Sequence, residues 1–483
     1  MSSGGAPEPS SGGAPASQKG GAAGEVASDV SLRAITILQT LEIPLMEAGK
    51  AVAAAARPAP LIAGKRGVAR AFVDVNESFT PRTLIGVLDI TTGKAPRSLV
   101  DRRRIERAST QDDLGSSFDF DVSADDLSAS ARYRLRVLEA DTTPLARFPE
   151  QGYVELGARS LKPFELVLVP FIIGGFVPKT TEVEVQALRR RLLALYPSSE
   201  IEVAVAPPKT LGYVVDAEDG WDAALDELYQ LRSEQEPPSN VFYYGVMAPA
   251  SSFDAFCPDG CIVGYSMMAD ADDVDSRGSI GIGVFPDGSG ADDAWDTVAH
   301  ELGHALGRDH APCGIDDPHD VDRGWPLDAA HRNAGLGVYG YDFDLQRLIQ
   351  PRQAKDVMSY CRPVWIADYT YRGIFERLDY IQTERLRALD AVGLSPPALF
   401  RLARIGRRGQ TVWLGDRRKN GAAARHSVDL LDRSGRPVGR IEAQVARADH
   451  GGGGYVWLPL GALLESGAAS VDLRPFGGSV LPL

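Results

Sequence analysis

Between residues 29 and 158, apolar and polar positions alternate in short runs broken by turn residues: ITILQTLEIPL, GVARAFVDV, TLIGVLDI, SSFDFDV and YRLRVLEA. A period of two puts successive side chains on opposite faces of a strand, so this stretch predicts an all-β sandwich domain. From residue 159 the rhythm changes. FELVLVPFII reads as a strand, EVEVQALRRRLLAL as a helix, EIEVAVAP as a strand, WDAALDELYQLRSE as a helix and NVFYYGVMAP as a strand. CIVGYSMM and SIGIGVFP follow as further strands before another helix. The predicted order β-α-β-α-β-β-β-α describes an α/β layer with a mixed sheet over 159–397. Beyond residue 398, QTVWLGD, SVDLLD and GGYVWLPL, separated by Gly-rich breaks, predict a small β domain over 398–483. Residues 1–28 are Gly, Ser, Ala and Pro-rich, cannot bury a core and read as a flexible tether.

Composition narrows the function classes. Apolar residues at 44% and charged residues at 24% are those of an ordinary globular protein. A formal charge of −14 leaves no domain with the basic surface that nucleic acid requires. No window holds eighteen consecutive apolar residues, so no membrane-spanning helix is expected. The first residues lack the basic and apolar regions of a secretory signal. Four cysteines, Cys257, Cys261, Cys313 and Cys361, all fall within 159–397. They allow three pairings or, without the usual CxxC knuckles, a four-thiolate zinc site, which the spacing disfavours.

The chemistry concentrates in HELGHALGRDH, His300 to His310. The chain has only seven histidines, so three of them with Glu301 and Gly307 at these offsets form a specific pattern. On a helix, His300 and His304 stack on one face and present ring nitrogens to one ion. Trp295, Val298, Ala299, Leu302, Ala305 and Leu306 form a stripe roughly opposite. Asp292 or Asp293 is expected to cap the helix after the GSG turn. Glu301 points about a quarter-turn from His300, awkward as a ligand and well placed as general base toward a metal-activated water. The third ligand has three candidate answers. A Glu from a second helix is one, but no Glu lies between Glu301 and Glu376. An aspartate among Asp309, Asp316, Asp317 and Asp320 is another. His310 fits better, because Gly307 can take a left-handed conformation, end the helix and turn the chain back.

HELGHALGRDH resembles the extended HExxHxxGxxH motif of the metzincin clan, and the later DVMSYC resembles its Met-turn, a likeness covering about residues 160–395. The resemblance implies an α/β metzincin catalytic domain, a mixed sheet with an active-site helix, flanked here by all-β domains. It implies a zinc endopeptidase with one Zn2+ on His300, His304 and His310, Glu301 as catalytic base and Met358 as an apolar floor below the histidines. Tyr360 occupies the place where astacins and serralysins carry a tyrosine that approaches the metal and stabilises the oxyanion. A monomer binding a protein or peptide in extended form is implied, with SIGIGVFP as the edge strand that pairs with it. Ala311 departs from the Glu, Pro or Asp of astacins, serralysins and reprolysins, so no branch is assigned. CRPVWIADYTYRGI is similar to a group of bacterial secreted zinc proteases, which implies a secreted or cell-surface location. Because Cys313 follows His310 and Cys361 follows Met358, and both elements converge under the metal in the clan, the resemblance favours a Cys313–Cys361 disulfide and leaves Cys257 with Cys261. No cysteine precedes Cys257 in this sequence. A cysteine-switch form of latency is therefore not expected, and latency would need an acidic side chain or steric cover.

Other features read more plainly. His319, His331, His426 and His450 have no partners at ligand spacing and are expected at the surface. The acidic runs from Asp270 to Asp275 and around Asp316 to Asp322 offer carboxylates to Ca2+ but lack the spacing and glycine of an EF-hand loop, so solvated loops are the simpler reading. Two rival functions remain open: a protein- or glycan-binding adhesin that does not cut, and a zinc amidase acting on small or cell-wall substrates. The segment from Ala311 to Asp356, which would shape substrate preference, carries no readable motif.

Overall fold

The computed structural model describes residues 29–483 except 94, 140–143, 269, 272, 391–397, 420–424 and 450–452. The tether expected over 1–28 lies outside the described residues.

Over 29–158 the alternating runs pair into two antiparallel sheets. In one, Val30–Leu38 lies between Glu42–Glu47 and Gly67–Val75. In the other, Arg82–Thr91 lies between Arg97–Ile105 and Arg132–Leu138. Alternation decides what each face does. Tyr133, Leu135 and Val137 are buried, whereas Arg134 and Arg136 on the opposite face share the Asp89 carboxylate at 2.8 and 3.0 Å. The sheets meet at Gly86, where a Cβ would strike the rings of Phe118 and Phe120.

In the next region β1 (Phe164–Ile172), α1 (Glu182–Leu195), β2 (Ile201–Val205), α2 (Trp221–Gln235), β3 (Val241–Met247), β4 (Gly264–Met268), β5 (Gly278–Ile282) and α3 (Ala291–Ala305) follow one another, and α4 (Asp368–Asp390) comes later. The spatial order is β2-β1-β3-β5-β4. β4 runs antiparallel to β5, and the other neighbours are parallel. α1 and α3 cover one face and α2 the other. Burial on both faces is why β3 is apolar throughout rather than alternating. The N-terminal sheets reach α1 through the buried Lys65, which donates to the carbonyls of Leu193 and Tyr196 at 2.7 and 2.8 Å. A cation there suits the helix C-terminus, although burial lowers the lysine to about 7.

The edge-strand expectation is corrected. β5, the SIGIGVFP segment, lies inside the sheet between β3 and β4. The later strand inserts between two earlier ones, and both β4 and β5 are too apolar for the sequence to show which is outermost.

Strands from residues 398–483 join this same sheet. β6 (Pro437–Ala448) pairs antiparallel with β4, Met267 opposite Ala448 and Met268 opposite Arg447, and with β7 (Gly454–Pro459). Among the described residues the joined sheet has thirteen strands. One side of the C-terminal strands encloses Ile405, Val428, Leu430, Val456 and Leu458. The other sets Leu402, Tyr455 and Trp457 against Trp221, Leu225 and Leu228 of α2.

Below α3 the chain is irregular and held by polar anchors. Asp356, fully buried, accepts the N–H groups of Met358 and Ala367 at 2.9 and 2.7 Å and the Thr370 hydroxyl at 3.0 Å. His331 corrects a second expectation, being buried rather than exposed. Its ring nitrogens face Asp328 and Asp368, each at 2.7 Å. His319 is exposed, His426 is half-buried against Phe476, and His450 lies outside the described residues.

Replacing Asp356 by Ala leaves two buried N–H groups without their acceptor, at roughly 1–3 kcal/mol each. A loss of about 2–5 kcal/mol in denaturant unfolding is expected. A change under about 0.5 kcal/mol would contradict the anchoring role. The hydrogen bond that His331 donates to Asp368, ahead of that to Asp328, raises its pKa above the ordinary 6.5. The imidazolium therefore stabilises the fold fully below pH 6.5, and that contribution fades as pH rises through the elevated folded value. Unfolding midpoints should fall over this window in the native chain, and His331→Gln should flatten the slope.

Candidate metal centre

α3 starts after Gly290, whose φ of 77° makes it the cap residue. The cap position expected for Asp292 or Asp293 is therefore held by Gly290, and both residues fall in the first turn. Trp295, Val298, Ala299, Leu302, Ala305 and Leu306 are buried against the sheet and α1. At the far end Gly307, at φ 76°, reverses the chain. Its N–H bonds the His304 carbonyl at 2.7 Å, and the Arg308 N–H bonds that of Gly303 at 2.9 Å. This is a Schellman ending, with glycine where a left-handed residue is required. It carries the chain back so that His310 faces His304.

The three imidazoles converge. His304 Nε2 lies 3.1 Å from His300 Nε2 and 3.1 Å from His310 Nε2. The other nitrogen of two of them is committed: His300 Nδ1 lies 2.7 Å from the Val357 carbonyl and His304 Nδ1 2.7 Å from the Arg308 carbonyl. A carbonyl only accepts, so both Nδ1 atoms carry protons and both neutral rings present Nε2 lone pairs to the same point. Lone pairs facing across 3.1 Å repel unless a cation lies among them. The donor set therefore fits a divalent metal, and carbonyls behind ligand histidines are the usual orienting partners. His310, rather than Asp309, Asp316, Asp317 or Asp320, supplies the third nitrogen, with ligand atoms of all three within 4.8 Å of one another.

The floor and walls follow from small residues and crosslinks. Met358 is fully buried beneath Gly303, where any Cβ would collide with its sulfur. The Met358 carbonyl receives the Ala311 N–H at 2.9 Å. Disulfides join Cys313 to Cys361 and Cys257 to Cys261. Tyr360 sits beside the first bridge, its hydroxyl 3.1 Å from His310 Nε2. Tyr360 is half-exposed, and partial desolvation of its hydroxyl, then the negative charges of Asp449 and Glu301, raises its pKa, so the phenol stays a donor. A cleft of about 290 Å³ opens between Cys261–Val263 on one side and His300, Glu301 and Val357–Arg362 on the other.

Two groups at the site are not legible from sequence. Gly264 on β4 leaves space for the Glu301 carboxylate, which a Cβ would occupy. Asp449, just past the end of β6, joins Glu301 and His304 in a second cluster of candidate ligands. Its Oδ2 lies 3.7 Å from His304 Nε2, and its Oδ1 accepts the Ser266 N–H at 3.1 Å. Glu301 is buried. Burial raises both carboxyls, Glu301 well above its ordinary value and Asp449 to about 7. The hydrogen bond between them lets the pair share a proton. Only the GGGG run after Asp449 hints at a special turn; nothing in the sequence links it to α3. No such cluster forms in the acidic runs among the described residues. Asp273 instead accepts from Ser276 Oγ and the N–H of Asp275 within its own turn, while Asp272 lies outside the described residues.

No protein-family model matches this chain, and no curated protein matches it. Among solved structures it is similar to a crystal structure of Bacteroides uniformis β-glucuronidase at 11% identity and a TM-score of 0.16. That match covers 45% of this chain and 29% of the other, so the chain spans less than a third of that enzyme. A likeness of this size carries no argument about fold or activity.

Proposed function

We propose that this chain is a zinc-dependent endopeptidase with a metzincin-type catalytic domain over 159–397. The observation that carries the reading is the convergence of three Nε2 atoms with two Nδ1 atoms held by backbone carbonyls. Three histidines form the protein-ligand set of catalytic zinc sites, whereas structural sites usually carry four protein ligands with cysteine among them. Zinc bound there supplies Lewis acidity toward a substrate carbonyl and makes water a stronger acid.

The chain's own groups do the rest. An extended peptide lies in the cleft between Cys261–Val263 and the segment around Val357 and Tyr360, and adding to the edge of β4 itself would first require β6 to leave it. Glu301, adjacent to His300, accepts a proton from the attacking water and returns it to the leaving amine. Tyr360 Oη donates a hydrogen bond to the oxyanion that develops on the attacked carbonyl. Extended substrates, secretion and a single chain as the active unit complete the proposal. The two disulfides are compatible with an extracellular location, and no described helix is long and apolar enough to cross a membrane.

Elemental analysis should find one zinc per chain, lost in His304→Ala. Chelation should lower the melting temperature, and stoichiometric Zn2+ should restore it, because metal binds the folded chain preferentially. Glu301→Gln should keep the metal and lose about a hundredfold to ten-thousandfold in peptide cleavage. That comparison is made in the native chain and in Asp449→Ala, so that cover of the site by the aspartate does not mask turnover. Metal-independent cleavage, equal with and without Glu301 in both backgrounds, would end the peptidase reading. Cleavage confined to small amides would turn it toward the amidase.

A further inference from the structure

The outer edge of β4 is already in use. Met267 and Met268 pair with Ala448 and Arg447 of β6. The ladder continues one residue further, the Asp449 N–H bonding the Ser266 carbonyl at 3.1 Å. Asp449 Oδ1 takes the Ser266 N–H at 3.1 Å, so the carboxylate is aimed by the backbone rather than by a free rotamer. Its other oxygen stands 3.7 Å from His304 Nε2. Asp449, Glu301 and His304 each offer an atom within 4.8 Å of the others. Asp449 is 4% exposed.

We propose that the C-terminal strands are an intramolecular inhibitor of the metal centre: β6 occupies the strand edge that an extended substrate would use, and Asp449 takes the ligand position that water and substrate need. The inference rests on the zinc-peptidase reading above. A carboxylate is an ordinary zinc ligand, and strand addition is the mode by which an extended peptide binds such an edge. β6 supplies both from within the chain. Activation requires β6 to leave β4. The contacts that hold the C-terminal strands to α2 and the loop before it include polar pairs that water can replace, among them Arg404 and Tyr455 with Asp226, and the exposed Arg408 with Glu218 and Asp219.

The test uses the full chain loaded with one equivalent of Co2+, whose visible absorption reports ligand number, and acetohydroxamate, which needs an open metal position. The native chain should bind the hydroxamate poorly with little spectral change. Asp449→Ala should bind it at least tenfold more tightly and shift the cobalt spectrum without it. Asp449→Asn, which keeps an acceptor for the Ser266 N–H, guards against misfolding and should also bind more tightly. Equal hydroxamate affinity and identical spectra in native chain and variants would overturn the inference while leaving the peptidase reading intact. Failure of the native chain to hold one equivalent of Co2+ would overturn both, through the metal site itself.

Discussion

The hydrogen bond from His300 Nδ1 to the carbonyl of Val357 ties α3 to the segment that carries Met358 and Tyr360. Because a carbonyl accepts and never donates, this one bond fixes a tautomer, a ring orientation and the distance between two pieces of chain remote in sequence. Met358 follows directly and fills the space under Gly303. Asp356, one residue before Val357, holds the same turn from below through Met358 and Ala367. The site thus depends on a backbone carbonyl being where a helix face needs it, and much of the irregular region below α3 serves that placement.

Electrostatics point the same way. Burying Glu301 and Asp449 side by side is costly unless a positive charge compensates. Three neutral imidazoles supply none, whereas a dication among them serves both carboxylates and the facing lone pairs together. The two anomalies, a buried pair of acids and opposed nitrogens, have a single physical remedy.

What could be read from the sequence was what short spacing encodes. The offsets of His300, Glu301 and His304 map onto a helix surface, and Gly307 marks its reversal, because both are local geometry. The pairing of Cys313 with Cys361 followed from resemblance rather than from spacing. Features that long-range packing decides stayed hidden. β5 slots between β3 and β4 although it follows both in the chain. His331 is buried because Asp368, at the start of α4, arrives to receive one ring nitrogen while Asp328 of its own turn takes the other. Asp449 reaches α3 only through strand pairing, and no periodicity in its own neighbourhood announces that partner.

The continuity of the sheet from β2 through β4 into β6 has a bearing on how the molecule tolerates being divided. A shortened chain ending near residue 390 would present the backbone of β4 as a bare edge of unpaired donors and acceptors, beside the apolar surface of Trp221, Leu225 and Leu228 that Tyr455 and Trp457 now cover. Such edges recruit one another. The piece that carries the three histidines and Glu301 is thus prone to self-association, and the C-terminal strands act for it as a built-in chaperone.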